Sequence, residues 1–312
     1  MAHQTVLLHE SVEALAICTG DTVVDATLGG AGHFALMHEI LGQEGTLIGI
    51  DADSHALKRA EEKVAETTSG VTVRLIHGNF RDLEKVLDEE HIEKIDGVLF
   101  DLGWSGFQLA DGRGFSFRAD EPLRMTYGEG METNAADLVN NLSETGLADL
   151  LYTLGEEHFS RGIAKAIVAR REVAEIQTTA ELVEAIEAGV PGWYRHRKIH
   201  PATKTFQALR IAVNDELGAV REGIAAALNR LSEGGRVAVI TFHSIEDRIV
   251  KGMFRDAAHA GQGTVVTKKP LTPSSAELLE NPRARSAKLR VFERSSRATA
   301  SITTSLPSTL YA

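Results

Sequence analysis

The sequence contains very little cysteine and no long hydrophobic run. Cys18 is the only cysteine among 312 residues, which excludes an intrachain disulfide and a cysteine-cluster metal site and fits a reducing compartment. Nowhere do about 18 apolar residues follow one another, and the first residues lack the basic flank and apolar stretch of a signal peptide. We therefore expect a cytoplasmic protein with no membrane partner.

Two common catalytic motifs are also missing. None of the 12 histidines lies in an HExxH pattern, so the sequence gives no indication of a metal site. GxSxG does not occur either, which leaves a Ser/His/Asp hydrolase without support.

Positive charge is scarce in the whole chain but concentrated in its second half. The net charge of -11 argues against a protein that coats nucleic acid non-specifically, because phosphate binding needs cationic surface. Residues 195–210 nevertheless hold five Lys/Arg and no acid, and residues 283–297 hold six Lys/Arg against Glu293 alone. We expect an anionic partner to dock on these two segments.

Four apolar, β-branched runs recur about every 25 residues in the first third of the chain. They are TVVDA from Thr22, TLIGID from Thr46, VTVRLI from Val71 and DGVLFD from Asp96. This spacing predicts successive βα units with buried parallel strands. SHALKRAEEKVAET (54–67) is one of the helices predicted between them.

The βα rhythm stops after Gly103. Residues 105–130 are rich in glycine and aromatics, which predicts a long functional loop, and residues 134–190 predict several helices without a strand. A predicted helix over about 205–231 follows, and after it the buried strand RVAVITF. Two further candidate strands are TVVTKK (264–269) and AKLRVFER (287–294), and the last alternates like an antiparallel edge strand. The prediction is a doubly wound α/β sheet with a helical insertion: core 1–107, insertion 108–204, core 205–312.

Polar residues follow the predicted parallel strands, and ligands of open α/β sheets bind beyond such carboxyl ends. Gly29, Gly30 and Gly32 permit close backbone approach to a ligand, although a tight turn would also favour glycine. Asp51 ends the second strand 19 residues after Gly32, where a carboxylate can accept both ribose hydroxyls. A helix N-terminal acid is the alternative interpretation of Asp51.

Asp25, beside the glycine loop, distinguishes two cofactor classes. A dinucleotide would bring an anionic pyrophosphate to this acid, at a cost of roughly one to a few kcal/mol. S-adenosylmethionine presents an ammonium and a sulfonium instead, which Asp25 and Asp101 would favour. Phe80 could pack on the adenine or belong to the core. The sequence therefore favours S-adenosylmethionine.

The stretch FDLGW places an acid and an indole together after the fourth strand. An exocyclic base amine is a poor nucleophile because its lone pair is delocalised into the ring. A hydrogen-bond acceptor for its N–H groups, with an aromatic face that holds the base, can pull the lone pair out of conjugation. Asp101 and Trp104 supply these parts and predict an amino-group methyltransferase. The alternative is an acid that caps a turn and a tryptophan in a domain interface.

Long motifs over nearly the whole chain resemble the RsmH (MraW) family of 16S ribosomal RNA cytosine-N4 methyltransferases. In order they are TVLLHESV, DATLGGAGH, GIDADSHAL, DGVLFDLG, FQLADGRGFSF, HPATKTFQALRIAVNDEL, GGRVAVITFHSIEDRIVK, TKKPLTP and NPRARSAKLRVFER. The resemblance implies a class I (Rossmann-like) S-adenosylmethionine-dependent methyltransferase sheet with an inserted all-helical domain. It also implies a target, N4 of cytosine 1402 in the decoding centre of the small ribosomal subunit.

The resemblance assigns cofactor binding to a set of matching positions. These are Ala31, Gly32, His33, Asp51, Phe80, Asp101 and Gln108. His33 and Gln108 come from the resemblance alone, whereas the strand-end reasoning adds Asp25 and Gly29. If Asp101 contacts the cofactor, it orients the donor more than the base. The chain departs from the family pattern at Ala31, Phe34, Trp104 and Arg124, and the last two bear on base choice.

His243 and two groups of cations are the candidate RNA contacts. Ser244 with Asp247 fits a capping box, and His243 just before it would lie on the cofactor side of the sheet, where we hypothesise that it positions the target cytosine. For HPATKTFQALRIAVNDEL the alternative to RNA binding is a core helix, which explains most of the segment. For NPRARSAKLR the alternative is a charged sheet edge that faces solvent. The predicted RNA-binding residues are Arg197, Lys198, His200, Lys204, Arg283, Arg285, Lys288 and Arg290.

Two other functions stay open on the sequence alone. One is an amino-group methyltransferase of the same fold that acts on another RNA, on DNA or on a protein. The other is a non-catalytic protein that binds nucleic acid. The sequence does not decide between a monomer and a homodimer, or between naked RNA and an assembled subunit as substrate.

Overall fold

The predicted apolar runs form the strands of one sheet. The computed structural model describes residues 4–65, 70–103, 112–127 and 133–295. Its strands are β1 (Thr22–Asp25), β2 (Thr46–Asp51), β3 (Thr72–His77), β4 (Ile95–Asp101), β5 (Leu231–Thr241), β6 (Gly263–Val265) and β7 (Lys288–Arg294). Their order in the sheet is β3-β2-β1-β4-β5-β7-β6. Strands β1 to β5 pair in parallel, and β7 runs antiparallel to both β5 and β6. The predicted doubly wound class I sheet is confirmed.

Helices connect the strands and fill the segment between β4 and β5. They are α1 (Leu8–Leu15), α2 (Gly32–Leu41), α3 (Ser54–Ala65), α4 (Leu83–Glu89), α5 (Ala135–Asn141), α6 (Glu144–Gly155), α7 (Ser160–Arg171), α8 (Thr179–Ala188), α9 (Gly192–Arg195), α10 (Ala202–Asn214), α11 (Glu216–Arg230), α12 (Ser244–His259) and α13 (Ser275–Glu280). Capping boxes at Asn134 and Thr178 fix the starts of α5 and α8, as their side chains accept from the third backbone N–H. No helix in the described ranges is long and apolar enough to cross a membrane.

Both faces of the sheet are buried. Val24, Val98 and Phe100 pack with α4, α11 and α12, whereas their neighbours Val23 and Leu99 pack on the opposite face with α1 and α2. Consecutive strand residues point to opposite faces, so covering both faces requires continuous apolar runs. This explains why the parallel strands lack a hydrophobic-polar alternation.

A third hydrophobic cluster belongs to the helical insertion. It combines the irregular segment 112–127 with α5 to α10, and its members include Phe115, Leu147, Ile163, Phe206 and Leu209. Helix α10 packs mainly on α6 within this cluster. We therefore propose that the insertion extends to Asn214, rather than ending at residue 204 as the sequence suggested.

Three local predictions need correction. The helix expected over about 205–231 is two helices, because Asp215 adopts a left-handed conformation (φ 45°) between α10 and α11. The strand expected at 264–269 is limited to β6, which ends at Val265. Strand β7 is antiparallel as expected, but β6 covers it, so it is not an edge strand.

Two helical glycines offer a matched test of the packing between α6 and α10. A Cβ atom at Gly155 would lie 2.6 Å from the carbonyl oxygen of Lys204, whereas one at Gly252 in α12 would meet nothing within 4 Å. We expect Gly155→Ala to lower the free energy of unfolding by about 1–3 kcal/mol through overpacking. Gly252→Ala should raise it by about 0.5–1 kcal/mol through helix propensity. Urea unfolding midpoints measure both, and equal shifts would contradict the close helix approach.

Candidate active site

Three aspartates meet at the carboxyl ends of β1, β2 and β4. Asp25 is 1% exposed; its Oδ1 accepts from the backbone N–H of Thr27 (3.1 Å), and its buried Oδ2 has no hydrogen-bond partner. Burial raises the pKa of Asp25 well above its usual value, and the charges of Asp101 and Asp51 raise it further. A buried carboxylate oxygen without a partner is costly, so this pocket favours a cation.

Asp51 holds the loop after β1 against the end of β2. Its Oδ2 accepts from the backbone N–H of Gly29, and its Oδ1 from that of Asp53, both at 2.9 Å. Arg59 donates to the carbonyl of Gly29 (3.0 Å) and to Asp53 (3.2 Å). Burial raises the pKa of Asp51, and the two backbone donors oppose that shift. Asp51 therefore shapes the loop and still presents lone pairs to a ligand.

The glycine loop owes part of its sequence to packing rather than to a ligand. Gly29 and Ala31 both adopt left-handed conformations (φ 48° and 56°). A Cβ atom at Gly32 would lie 1.9 Å from the Thr5 hydroxyl oxygen. Packing against the N-terminal segment thus requires glycine at position 32 by itself, and cofactor contact by Gly32 stays a prediction.

Asp101 lies at the end of β4 beside His33. Its backbone N–H donates to the Thr27 hydroxyl (2.6 Å), and its carboxylate accepts from the backbone N–H of Gly103 (3.3 Å). His33 Nδ1 lies 3.9 Å from Asp101 Oδ2, while its Nε2 lies 3.1 Å from the Val6 carbonyl oxygen. Burial raises the pKa of Asp101 to about 7, the backbone hydrogen bond opposes this, and the charge of Glu246 adds to it.

Among the remaining predicted contacts to the cofactor and the target base, Phe80 lies in the described part of the chain. Phe80 follows β3 in a short 3-10 helix (Phe80–Asp82), is half-buried, and packs edge-to-face on Phe100 with ring centroids 5.7 Å apart. Core packing and adenine contact are both compatible with this position. Trp104 and Gln108 lie outside the described residues.

His243, rather than Ser244, caps helix α12. Its Nδ1 accepts from the backbone N–H of Glu246 (3.4 Å), so the neutral ring carries its proton on Nε2. That Nε2 is buried 3.0 Å from Glu246 Oε1 but is not aligned for a hydrogen bond. The predicted capping box at Ser244 is wrong, because the Ser244 hydroxyl instead donates to the Glu156 carboxylate (2.6 Å).

A buried polar network lies beside this helix start and joins the insertion to α11. Arg210 in α10 donates from Nη2 to Glu216 Oε2 at 2.8 Å, and its Nε lies 2.6 Å from Glu216 Oε1 as an ion pair. The Tyr127 hydroxyl donates to Glu216 Oε1 at 2.7 Å. Burial raises the pKa of Tyr127 well above its usual value, and the Glu216 charge adds to this. Donor atoms of Glu216, His243 and Glu246 lie within 4.8 Å of one another. Because Glu216 is already engaged by a cation and a hydroxyl, the structure supports an ion-pair network here.

Sequence reasoning missed most of this network. Arg210 belongs to the basic segment 195–210, which was expected to dock an anionic partner, whereas it is 5% exposed. One signal was present: Arg210 follows Phe206 by four positions and precedes Val213 by three, which places it on the apolar face of α10. Glu216 and Tyr127 carried no local signal, because their partners are distant in sequence.

The first predicted group of RNA-binding cations lies on the surface of the insertion. Arg197 and Lys198 are exposed. His200 is exposed and stacks on Phe117 with ring centroids 4.6 Å apart. Lys204 is half-buried, and its Nζ donates to the Glu156 carbonyl oxygen (2.7 Å).

The second predicted group divides into exposed and paired cations. Arg283 and Arg285 are exposed in a 3-10 helix before β7. Lys288 and Arg290 instead donate to Asp247 at 3.2 and 2.6 Å, and Arg290 is buried. This burial argues against a phosphate contact by Arg290. Lys288 pairs with Thr241 in the sheet, so the start of β7 lies at the same sheet edge as Asp101.

The site fits a cationic cofactor. Three acids lie at the strand ends, where burial and the charges of Asp101 and Asp51 raise the pKa of Asp25, and one buried carboxylate oxygen of Asp25 lacks a hydrogen-bond partner. The adjoining loop is held by Asp51, which could also hold a ribose. Asp25, Asp51 and Asp101 could hold S-adenosylmethionine, and Phe80 could face its adenine. This site on this sheet defines a class I S-adenosylmethionine-dependent methyltransferase.

Comparison with known proteins identifies the family. The model of the MraW methylase family matches residues 1–295, and the chain belongs to this family. It is similar to ribosomal RNA small subunit methyltransferase H of Deinococcus radiodurans, with 49% identity over 94% of this chain and 90% of that protein. The protein of the same name from Brevibacillus brevis is 45% identical, over 94% of this chain and 98% of the relative.

Cofactor binding should depend on pH through Asp101. With a pKa of about 7, this carboxyl is mostly neutral at pH 6 and mostly ionised at pH 8, and only the ionised form attracts a sulfonium. We expect the Kd for S-adenosylmethionine to fall about tenfold over this range. Calorimetry measures it, and Asp101→Asn should remove most of the dependence. S-adenosylhomocysteine, which lacks the sulfonium charge, should respond less. An affinity that is flat or falls with rising pH would contradict this assignment.

Breaking the Arg210–Glu216 pair should destabilise the protein strongly. Arg210→Met leaves the Glu216 carboxylate buried without its cation, and we expect a loss of about 3–5 kcal/mol in the free energy of unfolding. The double variant Arg210→Met/Glu216→Gln should lose less than the sum of the single changes. Arg255→Met, which breaks an exposed pair with Asp256, serves as the control and should be nearly neutral. Additive losses in urea unfolding would contradict the coupling.

Proposed function

We propose that the protein transfers a methyl group from S-adenosylmethionine to the exocyclic N4 of a cytosine in 16S ribosomal RNA, cytosine 1402 of the decoding centre by family resemblance. Relatives that match 94% of the chain are named small subunit ribosomal RNA methyltransferases. The acidic cofactor pocket and the two basic surfaces give this chemistry a physical basis.

The observation that carries the proposal is the position of the α12 N-terminus between the two basic surfaces. On one side, Ser244 and Arg248 donate to Glu156 at 2.6 and 2.7 Å, next to the insertion surface with Arg197 and Lys204. On the other side, Asp247 accepts from Lys288 and Arg290 at the start of β7, next to Arg283 and Arg285. RNA bound to both surfaces would pass the helix start that carries His243.

In this proposal one group of residues binds the methyl donor and another positions the target base. Asp25 and Asp101 attract the positive charge of the donor, and Asp51 and the Gly29 loop place its ribose. His243, whose Nδ1 accepts from the backbone N–H of Glu246, contacts the base, and Trp104 remains the candidate for its face. When bound, S-adenosylmethionine supplies a methyl carbon that N4 attacks as the carbon–sulfur bond breaks, and the methylated amine then releases a proton. Fixed geometry is the main contribution of these residues.

A covalent cysteine adduct does not fit the chain. Cys18 is the only thiol, and it is exposed just before the amino end of β1, whereas Asp25 ends that strand. The thiol is therefore at the edge of the sheet opposite the carboxylates. A direct displacement at the amine needs no such nucleophile.

The test compares 16S RNA nucleosides from strains with and without the gene. We expect N4-methylcytidine in the decoding centre to disappear without the gene and to return with the wild-type protein. Asp101→Asn should lower kcat/KM for transfer of a labelled methyl group by about a hundredfold, because it removes an oriented charge. Asp256→Asn, at an exposed carboxylate of α12, is the matched control and should be fully active.

Other outcomes would replace the proposal. Unchanged N4-methylcytidine, with label transferred to a different nucleotide, DNA or protein, would indicate an amino-group methyltransferase with another substrate. Cofactor binding without transfer to any of these would support the non-catalytic binding protein.

A further inference from the structure

Trp193 presents an exposed indole on the surface of the insertion. Its side chain is 64% exposed, in the short helix α9. Within the described ranges no aromatic ring lies parallel to it; Phe159 and Tyr194 both meet it edge-to-face, with centroids 5.7 Å away and interplanar angles of 71° and 85°. An exposed indole is costly in water, so a partner that stacks on it would gain free energy.

The two rings beneath the indole are fixed by hydrogen bonds to one buried carboxylate. The Tyr194 hydroxyl donates to Glu157 Oε2 (2.8 Å), and the backbone N–H of Phe159 donates to Glu157 Oε1 (2.8 Å). Glu157 is fully buried and Tyr194 is 7% exposed. Both rings that contact Trp193 are therefore held by one carboxylate. A stacking partner would meet a pre-organised surface, which lowers the entropic cost of binding.

Charge around the indole selects the kind of partner. Residues 189–204 contain no acid, and Arg195, His196, Arg197 and Lys198 are all exposed. The Arg197 guanidinium lies 5.1 Å from the centroid of the Tyr194 ring. An aromatic face among cations is the combination that binds unpaired nucleobases, by stacking on the ring and phosphate contact beside it.

The position of this surface links it to the reacting end of the sheet. Glu157 follows Glu156, whose carboxylate accepts from Ser244 and whose carbonyl accepts from Lys204. Ser244 in turn follows His243. The indole is thus connected, through one buried carboxylate and one interdomain hydrogen bond, to the residue proposed to contact the target base.

We propose that Trp193 is a stacking platform for an unpaired base of the RNA substrate, close in sequence to the target cytosine. The inference rests on the proposed function and adds a residue that selects for single-stranded structure around the target. Duplex RNA has no free base face to offer, so the platform favours a looped or opened segment.

The test combines a protein change with a substrate change. In Trp193→Ala, KM for an RNA that carries the target loop should rise about five- to a hundredfold, with kcat at saturating RNA and Kd for S-adenosylmethionine nearly unchanged. Trp193→Phe should restore most of the affinity. Tyr152→Ala, an exposed aromatic of α6 between Asp149 and Glu156, is the matched control and should leave KM unchanged.

Abasic substitutions separate stacking from other contributions. Single abasic nucleotides are placed at each position that flanks the target. If stacking is correct, one position raises KM for the wild type, and Trp193→Ala causes no further loss there. Equal losses from Trp193→Ala on every substrate, or no loss on any, would overturn the proposal. A loss with assembled subunits alone would also overturn it and indicate a ribosomal protein contact. Failure of the wild type to methylate both naked RNA and assembled small subunits would instead reject the proposed function.

Discussion

The architecture of the site depends on negative charge buried where parallel strands end. Asp25, Asp51 and Asp101 have raised pKa values mainly because burial penalises their ionised forms. At neutral pH their ionisation therefore costs the folded chain stability, since the same groups in the unfolded chain have a pKa near 4. A bound cation removes much of that cost. The pocket is thus pre-organised for its cofactor at the expense of the free protein, as is usual for functional sites.

The insertion belongs to the active site through the polar network at Glu216. Asp215 turns the chain between α10 and α11, which lets Arg210 from the insertion and Glu216 from the core meet in one buried pair. Tyr127 adds a contact from the irregular segment before α5. Such a network is costly unless every member is paired. These contacts tie the insertion and the irregular segment to the start of α11, where donor atoms of Glu216 lie within 4.8 Å of those of His243 and Glu246.

The sequence predicts the parts of this structure that arise from local pattern. Strands β1 to β5 follow from apolar runs, and the acidic strand ends follow from the sheet rule for ligands. Contacts between residues distant in sequence could not be predicted from local pattern. The Ser244 hydroxyl donates to Glu156 instead of capping its own helix, and Arg290 is buried against Asp247. The packing of Gly32 against the Thr5 side chain could not be inferred from spacing either.

Charge of both signs on one site has a consequence for the order of events. The RNA is an anion, and the acids at the strand ends repel it; buried charges are screened little by salt. A bound sulfonium neutralises part of that charge and so favours RNA binding at the adjacent surfaces. By linkage, bound RNA favours binding of S-adenosylmethionine over its uncharged product. After transfer the cofactor product lacks this positive charge. The attraction of the site for RNA then weakens, so the arrangement that favours assembly of the substrates also favours release of the methylated RNA.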